Sequence, residues 1–297
     1  MKIGIIGAGA LGSFLGGVLA KHNDVLIVGK NEKDIDDIEI SGKTNLDVEV
    51  DYTTDYSRTK KLELVIICTK SYDTRSAMDD LTPYLDGSTY VMTLQNGLDN
   101  EKIISEYIDE DKVIGGITGI GVTYLKPGKV KHAGEGETII GAFRNTNDKM
   151  IYDTKDILEK SGLKVSISDN IYSQIWKKVI INSSINPITA LTGLKNGYLV
   201  EHEYLNELLK KVCLESKIVA EKEVELPIED MVKETEKNAK MRAENRSSML
   251  QDIVNENKTE IECINGAIVA MSKKLDIDTA YNQTMYNPVK GKESGYF

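Results

Sequence analysis

The chain is poor in the residues that build disulfides and metal centres. Its three cysteines, Cys68, Cys213 and Cys263, are far apart and form no Cys-x-x-Cys pair. Neither a disulfide framework nor a structural zinc site is expected, and the usage fits a reducing cytoplasm. His22, His132 and His202 are equally scattered, so no histidine-based metal site is expected. No Gly-x-Ser-x-Gly motif supports a hydrolase elbow. No apolar run is long enough to span a bilayer. The start Met1-Lys2-Ile3-Gly4-Ile5-Ile6 lacks the charged segment, apolar stretch and cleavage site of a signal peptide. Clustered positive charge is missing too: Lys+Arg 37 against Asp+Glu 47 leaves a net charge of -10 with no basic block. Nucleic acid and anionic membrane are therefore disfavoured as partners.

What is present is ordinary globular composition, 40% hydrophobic and 28% charged, in 297 residues, enough for two domains. Ile3-Ile6, Val25-Val28, Leu64-Ile67 and Tyr90-Leu94 read as strands separated by helix-length segments. Lys2-Ile6, a helix from about Leu11 to Lys21, and Val25-Val28 make one βαβ unit and imply a parallel sheet. Val113 to Val122, Lys129-Lys131 and Thr138-Ile140 read as further strands. After about Ser166 strand-like runs give way to amphipathic helical stretches. The expected organisation is an α/β protein with an N-terminal Rossmann-type dinucleotide-binding domain over 1–167 and an all-helical domain over 168–297. Ile261, Ile264, Ile268, Met271 and Leu275 recur as one helical face. Ile228 to Asn257 reads as a solvated helical stretch, and Tyr281 to Phe297 as irregular.

Gly7-Ala8-Gly9-Ala10-Leu11-Gly12 is a G-x-G-x-x-G set directly after a strand and opening a helix. Such glycines permit the tight turn, close pyrophosphate approach and helix-strand packing of a dinucleotide site, with the helix N-terminus facing the anion. An NAD-type site places Asp or Glu after the second strand. Here Val28 is followed by Gly29-Lys30-Asn31, and a cation there suits a 2′-phosphate, hence NADPH, with Glu32 nearby. Lys70 and Asn96-Gly97 sit after strands, where open α/β folds bind ligands, although Asn-Gly is also an ordinary turn.

At 100° per residue Ile171, Ile175, Lys178, Asn182 and Asn186 share one helical stripe, with Lys177 nearly opposite. Lys178 either snorkels outward or is held against apolar surface. In the second case its charged form is disfavoured and it becomes a plausible general acid. Glu260 either faces a core or cleft, or complements a helix dipole from the first turn. Ser247-Ser248 are either an N-cap or hydroxyl ligand donors.

These motifs, taken in order, resemble the 2-dehydropantoate 2-reductase (ketopantoate reductase) family over nearly the whole chain. The carriers are Gly7 to Gly12; Cys68-Thr69-Lys70; Gln95-Asn96-Gly97; Trp176-Lys177-Lys178 through Asn182 to Asn186-Pro187-Ile188-Thr189-Ala190; Ser247 to Asp252; and Thr259-Glu260-Ile261 with Ile264-Asn265-Gly266. The resemblance implies NADPH-dependent reduction of 2-dehydropantoate to (R)-pantoate, feeding pantothenate and coenzyme A synthesis, with substrate in a cleft between the domains. It implies Lys178 as proton donor to the keto oxygen and Glu260 as the acidic residue anchoring substrate and orienting the centre. Asn182 and Asn186 would line the substrate pocket, Ser248 bind the substrate carboxylate, and Asn96 lie between cofactor and substrate. Asn96 and Glu260 thus count on the cofactor side as well, with Gly7, Ala8, Gly9, Ala10, Leu11 and Gly12. Lys30 stands where the family often has arginine at the 2′-phosphate, and Lys70 matches a second cation there. Lysine lacks arginine's fork, which loosens the selectivity for NADPH over NADH. Relatives with these motifs reduce other branched or aromatic 2-oxo acids, the nearest alternative. A non-catalytic dinucleotide-binding regulator is the more distant one. A small-molecule partner, a homodimer and a cytoplasmic location complete the expectation.

Overall fold

A computed structural model describes residues 1–31, 35–144 and 147–295. The chain divides into two compact units, Met1–Gln95 with Asp99–Ile171, and Asn96–Leu98 with Tyr172–Phe297. The strands are β1 (Lys2–Ile6), β2 (Asp24–Val28), β3 (Asp37–Gly42), β4 (Leu46–Glu49), β5 (Asp51–Thr53), β6 (Leu64–Ile67), β7 (Tyr90–Thr93), β8 (Val113–Thr118), β9 (Gly121–Lys126), β10 (Lys129–Gly134), β11 (Glu137–Ala142) and β12 (Lys164–Ile167). The helices are α1 (Ala10–Ala20), α2 (Thr74–Leu81), α3 (Asn100–Ser105), α4 (Asp148–Lys160), α5 (Ile171–Thr192), α6 (Tyr198–Glu201), α7 (Glu203–Ala220), α8 (Met231–Met241), α9 (Ser248–Val254), α10 (Ala267–Lys274) and α11 (Ala280–Glu293).

The first unit is an α/β domain of Rossmann type. Its main sheet runs β12-β11-β8-β7-β6-β1-β2-β5, and the pairs from β5 through to β8 are all parallel. Parallel strands are covered on both faces, so they read as continuous apolar runs. Leu64–Ile67 is buried at every position. In α1 the buried Phe14, Leu15, Val18 and Leu19 join Ile3, Ile5 and Ile27 of the sheet in one core.

Two expectations change here. The segment between β2 and β6 is not a helix: residues 37–53 form three short strands, two of which enter a second sheet of order β4-β3-β10-β9. Ile38 and Ile40 of β3 and Val130 of β10 bury into the same core as α1, which is why these strands form. The run Val113 to Val122 likewise splits into β8 and β9, which belong to different sheets.

Among its described residues the second unit is helical. α5 is buried nearly all round, with Trp176, Val179, Ile180, Ser183, Ser184 and Thr189 within 1% exposure, as expected of a core helix. Its polar members bond back along the helix, Ser184 Oγ to Ile180 O at 2.7 Å among them. The C-terminal segment expected to be irregular is the helix α11, which buries Asn282, Met285, Val289 and Glu293 at helical spacing around Pro288. The stripe from Ile261 to Leu275 is not one regular face either. Glu262–Gly266 is a π-helical turn, in which Gly266 N–H donates to Ile261 O at 2.9 Å. The extra residue rotates the following helix, so Ile268, Val269 and Ser272 are buried while Met271 and Leu275 are half-exposed.

Candidate active site

In the first unit the strand order β6-β1-β2 places the carboxyl ends of three parallel strands side by side. β1 leads into Gly7–Gly12, β2 into Lys30 and β6 into Lys70. Gly7 has φ +107°, and a Cβ on Gly12 would fall 1.8 Å from Gly7 O, so only glycine closes this turn. Gly9, the N-cap of α1, has nothing within 4 Å of its would-be Cβ. That leaves open space at a helix N-terminus, where backbone amides receive an anion. Ala8 is buried, and Ala10 and Leu11 are partly covered. Lys30 is exposed on backbone held by the hydroxyl of Tyr52, which donates to Asn31 O at 2.6 Å. Glu32 lies outside the described residues. Lys70 is half-buried.

Sequence reasoning missed what fixes the Lys70 loop. Gln95, at the end of β7, donates through Nε2 to Thr69 O at 3.0 Å, Thr69 Oγ1 at 3.1 Å and Thr74 Oγ1 at 2.9 Å. Thr74 Oγ1 in turn donates to Asn100 Oδ1 at 3.0 Å. A buried amide with several partners is a rigid strut, and the signal for it was the Gln beside Asn96-Gly97.

The second unit gathers Lys178, Glu260 and Asn96. Asn96 Nδ2 donates to Glu260 Oε2 at 2.9 Å, and Glu260 is 5% exposed. Asn96 is brought there by a clasp. Leu98 N–H donates to Cys263 O at 3.0 Å, and Gly97, φ +87°, lies so close that a Cβ would fall 2.6 Å from the same oxygen. Of the two readings of Glu260, the structure shows the buried one: its carbonyl opens the π turn, accepting from Cys263 and Ile264 N–H at 3.1 Å each, while its side chain points to Asn96.

Lys178 is half-buried, not snorkelled outward. Desolvation brings its ammonium down to about 8; Glu260 opposes that shift and the Arg242 guanidinium adds to it. Burial also lowers Arg242 itself. Arg242, at the C-terminus of α8, was not anticipated, because nothing in its sequence neighbourhood separates it from a solvated face. Lys177 pairs with Glu234 at 3.4 Å.

Asn182 and Asn186 follow Lys178 along α5. Ser247 is the cap of α9: its Oγ accepts from Leu250 N–H at 3.1 Å and lies 2.7 Å from Thr189 Oγ1 on α5. Thr189 Oγ1 also lies 2.8 Å from Asn186 O, so α9 begins over the turn carrying Asn186. Ser248, its first residue, is exposed. The site residues anticipated from sequence thus fall into two groups. The glycine turn, Lys30 and Lys70 are in the first unit; Lys178, Asn182, Asn186, Ser248, Glu260 and Asn96 are in the second.

Among the described residues no group of His, Cys, Asp or Glu could hold a metal ion, and no helix is long and apolar enough to cross a membrane. An open glycine turn between β1 and α1 at the carboxyl end of a parallel sheet puts the first unit in the dinucleotide-binding α/β class.

The family model for "Ketopantoate reductase PanE/ApbA" matches residues 3–145, and that for its C-terminal domain matches residues 170–293. The 2-dehydropantoate 2-reductase of Pyrococcus abyssi is 37% identical, covering 99% of this chain and 98% of its own. That of Archaeoglobus fulgidus is 36% identical over the same shares. Among solved structures, a PanE/ApbA family ketopantoate reductase from Ralstonia eutropha has a TM-score of 0.89 at 28% identity, covering 100% and 99% of the two chains. D-mandelate dehydrogenase, solved with NADH and anilino(oxo)acetate, has a TM-score of 0.90 at 26% identity over the same shares. The chain belongs to the ketopantoate reductase family.

Proposed function

We propose that this chain reduces 2-dehydropantoate to (R)-pantoate with NADPH, in the cytoplasmic synthesis of pantothenate and coenzyme A. The observation that carries the chemistry is Lys178, half-buried on the core helix α5 and acted on by a Glu260 carboxylate that is 5% exposed and held by Asn96 at 2.9 Å; burial brings its ammonium down to about 8. At neutral pH it stays mostly protonated, yet it is a far better acid than an ordinary lysine.

In this reading the Gly7–Gly12 turn and the N-terminus of α1 hold the pyrophosphate, and Lys30 and Lys70 the 2′-phosphate. The open space at Gly9 supports the fit. A dinucleotide bound there would supply the hydride for the keto carbon. Lys178 supplies the proton to the keto oxygen, so the C=O π bond becomes a C–H and an O–H, and ammonium becomes amine. As charge builds on the oxygen, the same ammonium stabilises it. Glu260 keeps Lys178 charged and Asn96 fixes the Glu260 carboxylate. Ser248 takes the substrate carboxylate, and Asn182 and Asn186 line the pocket.

A second reading, reduction of another branched or aromatic 2-oxo acid, draws on the similarity to D-mandelate dehydrogenase. The deciding experiment follows NADPH and NADH consumption with 2-dehydropantoate beside pyruvate, 2-oxoisovalerate, 2-oxoisocaproate and phenylpyruvate. Highest kcat/KM for 2-dehydropantoate with NADPH is the expected result. A higher value for another oxo acid overturns the pathway assignment and leaves the Lys178 chemistry standing.

A further inference from the structure

Glu293, the last residue of α11, carries a carboxylate yet is 4% exposed. A carboxylate enters a core only where donors offset its desolvation. Its Oε1 accepts from both donors of Thr259, the N–H at 2.7 Å and Oγ1 at 2.5 Å. Lys290, on the preceding turn, lies 3.2 Å from Oε2. Thr259 Oγ1 also accepts from Ile261 N–H at 3.2 Å. Thr259, just before Glu260, is therefore tied to a buried carboxylate, and its hydroxyl in turn holds the N–H of Ile261 just after it. The segment is held again further on, where Asn265 Nδ2 donates to Ser183 O and to Asn282 Oδ1, each at 3.1 Å. Such anchoring exceeds what a helix end needs, since a single N-cap oxygen satisfies one or two free amides.

We infer that Glu293 is a positioning residue for the proposed reaction: by gripping Thr259 it fixes the backbone from which the Glu260 carboxylate reaches Asn96 and faces Lys178. The inference rests on the reading of Lys178 as the proton donor. Glu293 acts through Thr259 and Glu260. The titratable groups around it are Lys290, Glu262, which Lys290 also approaches at 3.6 Å, and Tyr286, whose hydroxyl donates to Glu262 at 2.7 Å. Those facing Lys178 are Glu260 and Arg242.

The test compares Glu293→Leu, Thr259→Val and Thr259→Ser in the full chain. It reads kcat and KM with 2-dehydropantoate and NADPH, and the titration of Lys178 by lysine 15N NMR of the protein without substrate, with Lys178→Ala assigning the signal. A misplacement of about 1 Å at a reacting centre costs on the order of 100-fold. Glu293→Leu, which removes the acceptor oxygen that Thr259 bonds, is therefore expected to lower kcat by about 10- to 100-fold with KM for NADPH unchanged. Lys178 should titrate lower than in the wild type, because a displaced Glu260 raises it less. Thr259→Val should show a smaller version of both effects, and Thr259→Ser, which keeps both donors, should restore them. A Glu293→Leu protein that melts earlier but keeps wild-type kcat and Lys178 titration overturns the inference and leaves Glu293 a fold-stabilising residue. If Glu293→Leu does not fold, Thr259→Val decides, and unchanged readings there overturn it. If the wild type ignores 2-dehydropantoate but the Lys178 titration still moves in the variants, the substrate reading falls and the positioning role stands.

Discussion

The glycine turn of the first unit is one run of sequence, Gly7 to Gly12, and its tightest approach is internal: the Cβ that Gly12 lacks would meet Gly7 O at 1.8 Å. The polar set of the second unit is gathered from distant segments, with Asn96 and Glu260 164 positions apart and Lys178 on a third element. The turn depends on backbone shape, so substitutions there should change binding or folding. The lysine set depends on charge and desolvation, so substitutions there should change turnover and its pH dependence.

The largest effect expected is at Lys178. Lys178→Ala should reduce kcat by about 10²- to 10⁴-fold, the range of a positioned general acid, while NADPH affinity stays near wild type in a fluorescence titration. Near-normal turnover would remove Lys178 from the role. The pH profile sharpens the same point. Lys178 lies at about 8 in the free protein, and kcat/KM reports free-enzyme groups. The reduction should therefore be level below about pH 8 and fall above it as the ammonium loses its proton. Glu260 raises Lys178, so Glu260→Gln should move that falling limb to lower pH. A limb left near pH 10 would show that burial does not tune this lysine.

Two neighbouring glycines separate folding from binding within the turn. Gly12→Ala forces a Cβ against backbone and should cost about 1–3 kcal/mol of stability, seen as a lower Tm, together with loss of NADPH binding. Gly9→Ala meets nothing within 4 Å. It should leave Tm unchanged and weaken only NADPH, because the methyl occupies space the pyrophosphate needs. Equal losses of Tm in both would show that the turn is structural and not a phosphate cradle.

The same contrast explains what was legible in the sequence. The glycine turn and its βαβ frame could be read directly because short-range sterics dictate them. Lys178, Asn182 and Asn186 could be aligned because helical period survives in a single element. Arg242 and Glu293 could not, because their meaning lies in what folds against them. α11 escaped for a related reason: its buried face is Asn282, Met285, Val289 and Glu293, half of it polar, with a proline inside the helix. No apolar stripe announces such a face, and its polar members depend on tertiary partners, Glu215 and Val212 O for Asn282 and Thr259 for Glu293. The π turn was hidden too, since the spacing from Ile261 to Leu275 assumes a regular helix, and one extra residue moved Met271 and Leu275 off the buried face. In β3 and β4 the strands are too short, and too polar on one side, for alternation to stand out from a loop.

The smallest effect expected lies at Lys30, where the first unit uses charge in place of shape. Lys30 is exposed, and an exposed ion pair contributes little, up to about a fivefold preference. Its backbone is nevertheless fixed, through Gly29 N–H donating to Thr53 O at 2.9 Å and Tyr52 to Asn31 O. The side chain therefore springs from a fixed place after β2, while the half-buried Lys70 is less open to screening. Lys30→Ala should lower kcat/KM for NADPH about fivefold and leave NADH unchanged, narrowing the preference without reversing it. Raising the salt should have a similar effect on the wild type and little on the variant, because a solvent-facing lysine acts as a screened point charge. If NADH and NADPH fall together in Lys30→Ala, the lysine supports the adenosine end of either cofactor, and the preference must come from Lys70.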